Sequence, residues 1–481
     1  MNADAPPPAS AVDNRRRWRA LSVGLVAAFM TLLDVSIVNV ALPSMDRALG
    51  ASPSDLQWVL SGYALTFGLV LVSAGRFGDM RGRRTAFVLG IAVFTLASAL
   101  AGVADSPEWL IAARLFQGAA AGVVNPQVNG MIQELFRGPE RARPFGLLGA
   151  TIGISTAVGP LLGGLLIAVG GDEHGWRWVF FVNVPVGIVA VVLGWRLIPD
   201  RPAGPRDDRR LDPVGVLLLG VGVLLVLLPL VQEQTWRGPA KWLLVPAGLL
   251  VLACFGAWER WYARRQDPLF DLRLFGFRSY ALGSLIALVY FGGFTAIFFI
   301  FTLYLQNGLG YSALVAGLAI TPFALGSAAA SALGGRIVNR YGRPLVATGL
   351  LAVVIGLVAV VVVLDRAPSG APVPWLTAAP LLVAGLGSGL VIAPNQTLTL
   401  SEVPVRQAGS GAGMLQTGQR IGSAAGIAAV GSLFFSSVAS SGGDYSLAFR
   451  HSLLLAAGVI ALALVAALVD VTLGRRHADP A

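Results

Sequence analysis

The sequence predicts an all-α polytopic membrane protein of fourteen transmembrane helices, built as two parallel six-helix bundles with an inserted helix pair. Three observations predict it. Charged residues make up 12% of the chain and hydrophobic ones 55%, with a mean hydropathy of +0.72, too little charge to cover a soluble fold of 481 residues. Apolar runs of about twenty residues, the length a helix needs to cross the hydrocarbon core, recur from end to end. A short glycine- and arginine-rich stretch occurs at Gly75 and again at Gly335. Backbone polar groups in lipid must be satisfied internally, so the runs read as helices, and the alternating pattern of a membrane barrel is absent.

Taken in order, the first run (19–42) follows Arg15, Arg16, Arg17 and Arg19. It is too long for a signal peptide and ends on no small-residue cleavage site, so it reads as the first span. Runs at 57–77, 85–104, 108–133, 144–169 and 177–198 complete a first set of six. Runs at 211–231 and 242–262 form a pair. A second set of six follows at 279–304, 313–335, 345–365, 375–399, 408–434 and 447–472. The expected domains are therefore an N-terminal bundle with its tail (1–198), the inserted pair with linkers (199–265), and a C-terminal bundle (266–481). The Pro/Ala-rich first fourteen residues and the last few read as disordered tails.

The arginines orient these spans. With the N-terminus in the cytoplasm, the groups around Arg15, Arg76, Arg137, Arg201, Arg260, Arg336 and Arg475 all fall inside, and few basic residues fall outside. That asymmetry is the positive-inside rule, and changing the span count by one would destroy it. Both termini are then cytoplasmic. The net charge of +10 is a topology signal and not a nucleic-acid surface. Eight spans separate the stretches starting at Gly75 and Gly335, an even number, so the repeat is parallel, a known transporter plan with its site between halves near midplane. Cys254 is the single cysteine, which excludes disulfides, and three scattered histidines make a metal centre unexpected; no cofactor is predicted. A phosphate-binding loop needs Gly-Lys followed by Ser or Thr. The sole lysine, Lys241, lies between Ala240 and Trp242, so ATP is excluded as a partner and no enzyme is expected.

"GRFGDMRGRR" (75–84) resembles the loop 2–3 signature of the major facilitator superfamily. "LDVSIVNVALP" (33–43), "QWVLSGYAL" (57–65), "RLFQGAAAG" (114–122), "GISTAVGPLLGG" (153–164), "WRWVFFVNVPVG" (176–187) and "AGSGAGMLQTGQRIGSAAG" (408–426) are similar to motifs of its fourteen-span drug:proton antiporters, in the same order along the chain. The resemblance implies that Gly75, Asp79, Gly82, Arg83 and Arg84 form a cytoplasmic gate motif in which Asp79 meets the N-terminus of span 13. It implies that Gly153, Gly159, Pro160, Gly163 and Gly164 form an antiporter motif in span 5, and that Arg114 takes part in proton coupling. The second copy has Asn339 where the first has Asp79, so any latch should be asymmetric.

Physical reading of the same residues runs beside this. Asp34 lies about 22 Å up the first helix from the arginines, in the outer half of the bilayer. A charge there costs about 2.5–3.5 kcal/mol and needs a cavity or a partner. Arg114 lies at a similar depth. The pair reads either as a structural ion pair or as a protonatable carboxylate facing cationic substrate with an electrostatic modulator. Small residues at Gly149, Gly153, Gly159 and Gly163 permit close helix approach, and Pro160 favours a kink. Gln57, Tyr63, Gln117, Asn125, Tyr290, Tyr304, Asn395, Gln416 and Arg420 are candidates for a mixed substrate cavity, at least half of them expected to be interhelical hydrogen bonds. Phe67, Phe291, Phe294 and Phe298 offer faces to an aromatic cation or pack against lipid.

The expected function is a proton-coupled antiporter exporting amphipathic, cationic small molecules by alternating access. Its partners would be substrate, protons and the bilayer of a bacterial inner membrane, and it would act as a monomer. An exporter of one natural product, a facilitator, and a non-transporting receptor or scaffold are the alternatives.

Overall fold

The computed structural model describes residues 11–199, 212–231, 236, 238–264, 268, 270–368 and 371–478. Its long elements are α1 Ala11–Leu49, α2 Pro53–Arg81, α3 Arg83–Gly102, α4 Pro107–Leu135, α5 Ala142–Phe181, α6 Asn183–Leu197 and α7 Pro213–Val231. They continue as α8 Leu244–Tyr262, α9 Arg278–Leu303, α10 Ala313–Tyr341, α11 Arg343–Asp365, α12 Val373–Thr399, α13 Ala408–Ser440 and α14 Tyr445–Ala478. No strand occurs among the described residues.

Among the described residues, thirteen helical stretches are long and apolar enough to cross a membrane. The remaining long helix, α4, has 29 residues but is too polar, because Arg114, Gln117, Gln127, Asn129 and Gln133 line its buried face. Their side-chain N–H groups donate inside the protein, Gln117 to Asp34, Gln127 to the Ala74 carbonyl, Asn129 to the Asn125 carbonyl and Gln133 to the Ala408 carbonyl. Most helices outrun the apolar segments that predict them, since their end turns carry the polar residues of the interface. α1 starts at Ala11, inside the stretch expected to be a tail. Residues 1–10 and 479–481, with the rest of that expectation, lie outside the described residues.

Local chemistry sets the ends. Ser52 opens α2 with a reciprocal capping box to Asp55 and Pro53 follows it; Ser106 and Ser312 cap α4 and α10 through their side chains. The chain turns from α2 into α3 through Gly82 alone, at φ 96°, and from α10 into α11 through Gly342, at φ 56°. Both values lie where an L side chain is strained, which is why the repeated motif keeps a glycine there. The break between spans 5 and 6 falls at Gly171 (φ 80°, ψ 165°), where Gly170 and Gly175 fold back on one another. The backbone keeps helical angles through Pro160, and Gly171 falls in the gap expected between the runs ending at 169 and starting at 177.

Helices α1–α6 pack on one another, with α1 on α5, α2 on α4, and α3 on α4 and α6. Helices α9–α14 do the same, with α9 on α13 and α14, α10 on α12, and α11 on α12 and α14. The pairs α2–α13 and α5–α10 join the two sets, and α7 lies along the first of these seams against both α2 and α13. Both seams are glycine contacts: a Cβ on Gly75 would collide with the Gly409 carbonyl, and one on Gly335 with the Ala142 carbonyl and Gly146. Without a hydrophobic force between helices in lipid, such close approach is what holds them together.

Candidate transport site

Asp34 and Arg114 meet. Asp34 is fully buried on α1, and Arg114 on α4 is 1% exposed. The Arg114 Nη1 donates to Asp34 Oδ2 at 2.5 Å and to Gln117 Oε1 at 2.8 Å, while its Nε donates to the Val59 carbonyl at 3.0 Å. The second oxygen of Asp34 accepts from Gln117 Nε2 and Asn183 Nδ2, each at 2.9 Å. Both amides also reach the Ser98 hydroxyl at 3.1 Å, and Ser98 donates to the Phe180 carbonyl. Both carboxylate oxygens are therefore used by α4 and α6, and the expectation that Asp34 faces substrate is not met in this conformation. Asn183 and Ser98 escaped the sequence reading; the signal for Asn183 was an amide inside "FFVNVP", and for Ser98 nothing beyond one hydroxyl in an apolar run.

A stack leads from this centre to the other set of helices. The Arg114 guanidinium lies 4.3 Å from the Tyr63 ring centre, Tyr63 stacks on Phe67 at 6.1 Å, and the Arg420 guanidinium lies 4.2 Å over Phe67. The Tyr63 hydroxyl donates to the Thr31 carbonyl, and Asn125 reaches the Thr31 hydroxyl. Arg114, Tyr63, Phe67 and Arg420 thus form one line across the molecule near mid-membrane.

Tyr290, Tyr304 and Asn395 make contacts with neighbouring helices. Tyr290 donates to Ser388 at 2.7 Å, and Tyr304 stacks on Phe449 at 4.5 Å. Asn395 accepts from Arg343 and donates to the Gly283 carbonyl near the arginine-rich end. Phe291, Phe294 and Phe298 pack on one another and on Tyr290 and Phe323, leaving no sandwich for a cation. Gln416 is buried, and the Gln57 side chain lies outside the described residues.

At the arginine-rich end the two sets of helices are closed on each other. Asp79 accepts from the backbone N–H groups of Gly409 and Ser410, both at 3.0 Å, at the N-terminus of α13. Arg83 holds Asp79 at 2.6 Å and Glu134 at 2.9 Å. The Arg84 guanidinium stacks on Trp195 of α6. Asn339, the counterpart of Asp79, donates to the Pro139 carbonyl at 2.7 Å, a neutral and exposed bond. Gln396 and Asn129 bond directly across the same end, and Gln133 donates to the Ala408 carbonyl.

The span 5 motif divides between two partners. Gly153 packs on α10 at Ala324 and Ala328, continuing Gly146 and Gly149, whereas Gly159 and Gly163 pack on α1 at Ser36 and Ile37. Pro160 touches Gly317 of α10, and Gly164 has only Leu314 near it. A hydrogen bond from Ser36 to the Ser155 carbonyl pins α1 to α5 two residues from Asp34.

The family model of the Major Facilitator Superfamily matches residues 24–427 and 283–480. The chain belongs to this superfamily. Among its relatives there, it is 37% identical to a probable actinorhodin transporter of Streptomyces coelicolor over 90% of this chain and 74% of that one. It is 37% identical to the puromycin resistance protein of Streptomyces alboniger, covering 86% and 81% of the two chains. A cephamycin export protein of Amycolatopsis lactamdurans is 35% identical, covering 85% and 83%. Among solved structures of the superfamily's fold, the human organic anion transporter MFSD10 superposes with a TM-score of 0.68 at 16% identity, over 96% of this chain and all of that one. As a major facilitator protein the chain is a multi-pass membrane transporter and not an enzyme.

Proposed function

We propose that the protein is a proton-driven antiporter that exports amphipathic small molecules from a bacterial cytoplasm by alternating access. It would use fourteen spans, two parallel six-helix halves and the α7–α8 pair, as a monomer with both termini inside. The observation that carries this reading is the buried Asp34–Arg114 pair, placed at one end of an aromatic stack that reaches the other half. Its export direction is supported by relatives named for resistance and export.

The chemistry follows from the hydrogen bonds. A guanidinium cannot be titrated away, whereas a carboxylate can accept a proton. Protonating Asp34 removes the charge that holds Arg114 and converts one of its oxygens from an acceptor into a donor, so Gln117, Asn183 and Arg114 must all rearrange. Arg114 bears on Tyr63, and Tyr63 on Phe67 at the α2–α13 seam, so this rearrangement is delivered to the surface along which the halves rock. One proton moving down a 100 mV potential supplies about 2.3 kcal/mol. The latch at Asp79 is worth about 0.3–1 kcal/mol, or up to about 2 when partly buried, so the proton is sufficient to release it. With the arginine-rich end read as cytoplasmic, the conformation is inward-closed. The test is drug accumulation by vesicles containing the purified protein, driven by a pH gradient and abolished by Asp34→Asn.

A further inference from the structure

We propose that Arg420 is the anchor for an acidic group on the substrate, so that the cargo of this exporter is an amphipathic organic anion such as an aromatic carboxylate or sulfonate. The inference rests on the transporter reading above and names the substrate class of that site.

Three observations carry it. First, Arg420 is the thirteenth residue of α13, about 18 Å from the helix start at the arginine-rich end, far from either interface. It forms neither an ion pair nor a hydrogen bond with any described residue, and its guanidinium lies over the Phe67 ring. Second, it sits inside the protein and not against lipid. Its Cβ lies 3.9 Å from where a Cβ on Gly68 would be, and the ring beneath it is 3% exposed, yet Arg420 itself is only half-buried. The guanidinium therefore lies at the α2–α13 seam, beyond the glycine contacts at Gly75–Gly409 and Leu71–Gly413, with part of its surface open. Third, the charge balance of the interior leaves it uncompensated. The other mid-membrane charges, Asp34 and Arg114, neutralise each other. Asp79, Glu134 and Asp470 lie near helix ends with arginine partners of their own.

An unpaired arginine in low dielectric is costly and marks a ligand path. Phe67 occupies one face of the guanidinium and leaves the N–H edge to bind an acid group in a two-pronged fashion. Gln416, one turn earlier on the same face of α13 and without a hydrogen-bond partner among the described residues, is placed to bond a neighbouring polar group of the same ligand. Asp34, the acid at comparable depth, is taken up by Arg114, Gln117 and Asn183, so the structure offers a cationic cargo nothing comparable.

The experiment is equilibrium binding of two xanthene dyes to the purified protein in detergent, read by fluorescence polarisation: anionic carboxyfluorescein and cationic rhodamine 6G. Wild type is expected to bind carboxyfluorescein more tightly than rhodamine 6G. Arg420→Gln is expected to weaken carboxyfluorescein binding by at least about tenfold, and Arg420→Lys, which keeps the charge and loses the fork, to weaken it less. Tighter binding of rhodamine 6G to wild type, or equal carboxyfluorescein binding by wild type and Arg420→Gln, overturns the proposal. The wild-type comparison stands even if Arg420→Gln does not fold. Binding needs no transport, so an anchor that binds in a protein that never moves dye against a gradient would sink the exporter reading and leave the subsite intact.

Discussion

Arg114 serves three acceptors with one guanidinium: Asp34, Gln117 and the Val59 carbonyl. A lysine has one ammonium on a flexible stem and cannot reproduce the Nε bond and the Nη1 pair together. Arg114→Lys and Arg114→Ala are therefore both expected to lower gradient-driven transport per reconstituted molecule by at least about tenfold, while the protein still inserts. Wild-type rates for Arg114→Lys would show that charge alone suffices. Asn183→Ala removes one of the two amides on Asp34 Oδ1 and is expected to cost about 1.5–3 kcal/mol of thermal stability, since the lost bond is to a charged group. An unchanged melting temperature would contradict the network. At this scale the sequence disclosed the pair, because two opposite charges at one depth in lipid have few other partners. It did not disclose Ser98 or Asn183, whose roles depend on which faces of α3 and α6 turn toward α1. Nor did depth alone tell that both oxygens of Asp34 would be taken up by α4 and α6.

Helices α2 and α13 close like a zip from the arginine-rich end: Asp79 on the α13 N-terminus, Gly75 on Gly409, then Leu71 on Gly413. Gly75→Val would put a branched side chain into the Gly409 carbonyl. It is expected to hold the halves apart there, raising reactivity of cysteines placed on α2 and α13 to reagents added from the arginine-rich side. The latch itself is asymmetric. Asp79 offers a carboxylate to two backbone N–H groups at a helix N-terminus, whereas Asn339 makes one neutral bond to Pro139. In a Cys254→Ala background, Asp79→Asn is expected to shift accessibility toward the arginine-rich side several-fold, given a contact worth about 0.3–2 kcal/mol, and Asn339→Ala much less. Equal shifts would remove the asymmetry. Helix existence was legible because apolar length in lipid has one solution. The run at 108–133 foretold a helix at Pro107–Leu135 despite its amides. The break after span 5 was legible too, since the apolar run that ends at 169 and the next that starts at 177 bracket Gly171.

For the molecule as a whole, the two copies of the glycine–arginine stretch take matching places: Gly75 meets Gly409 and Gly335 meets Gly146, so each copy closes one side of the same end. The place of α7 could not be foretold, because nothing in an all-apolar helix says which seam it covers. In the structure it lies against α2 and α13, with Leu227 at Gly68 on the flank of the seam that holds Arg420. The central claim joins these parts: protonation of Asp34, relayed through Arg114 and the Tyr63–Phe67 stack, drives opening of an end held by Asp79. Its most direct test uses proteoliposomes with an acidic lumen and no other energy source, carrying wild type or Asp34→Asn at matched amounts of folded protein. Wild type should accumulate carboxyfluorescein or another amphipathic dye against its gradient, discharge the lumenal acid as it does so, and stop when a proton ionophore is added, while Asp34→Asn should do none of these. Accumulation by Asp34→Asn at the wild-type rate, or wild-type accumulation untouched by the ionophore, would contradict the account.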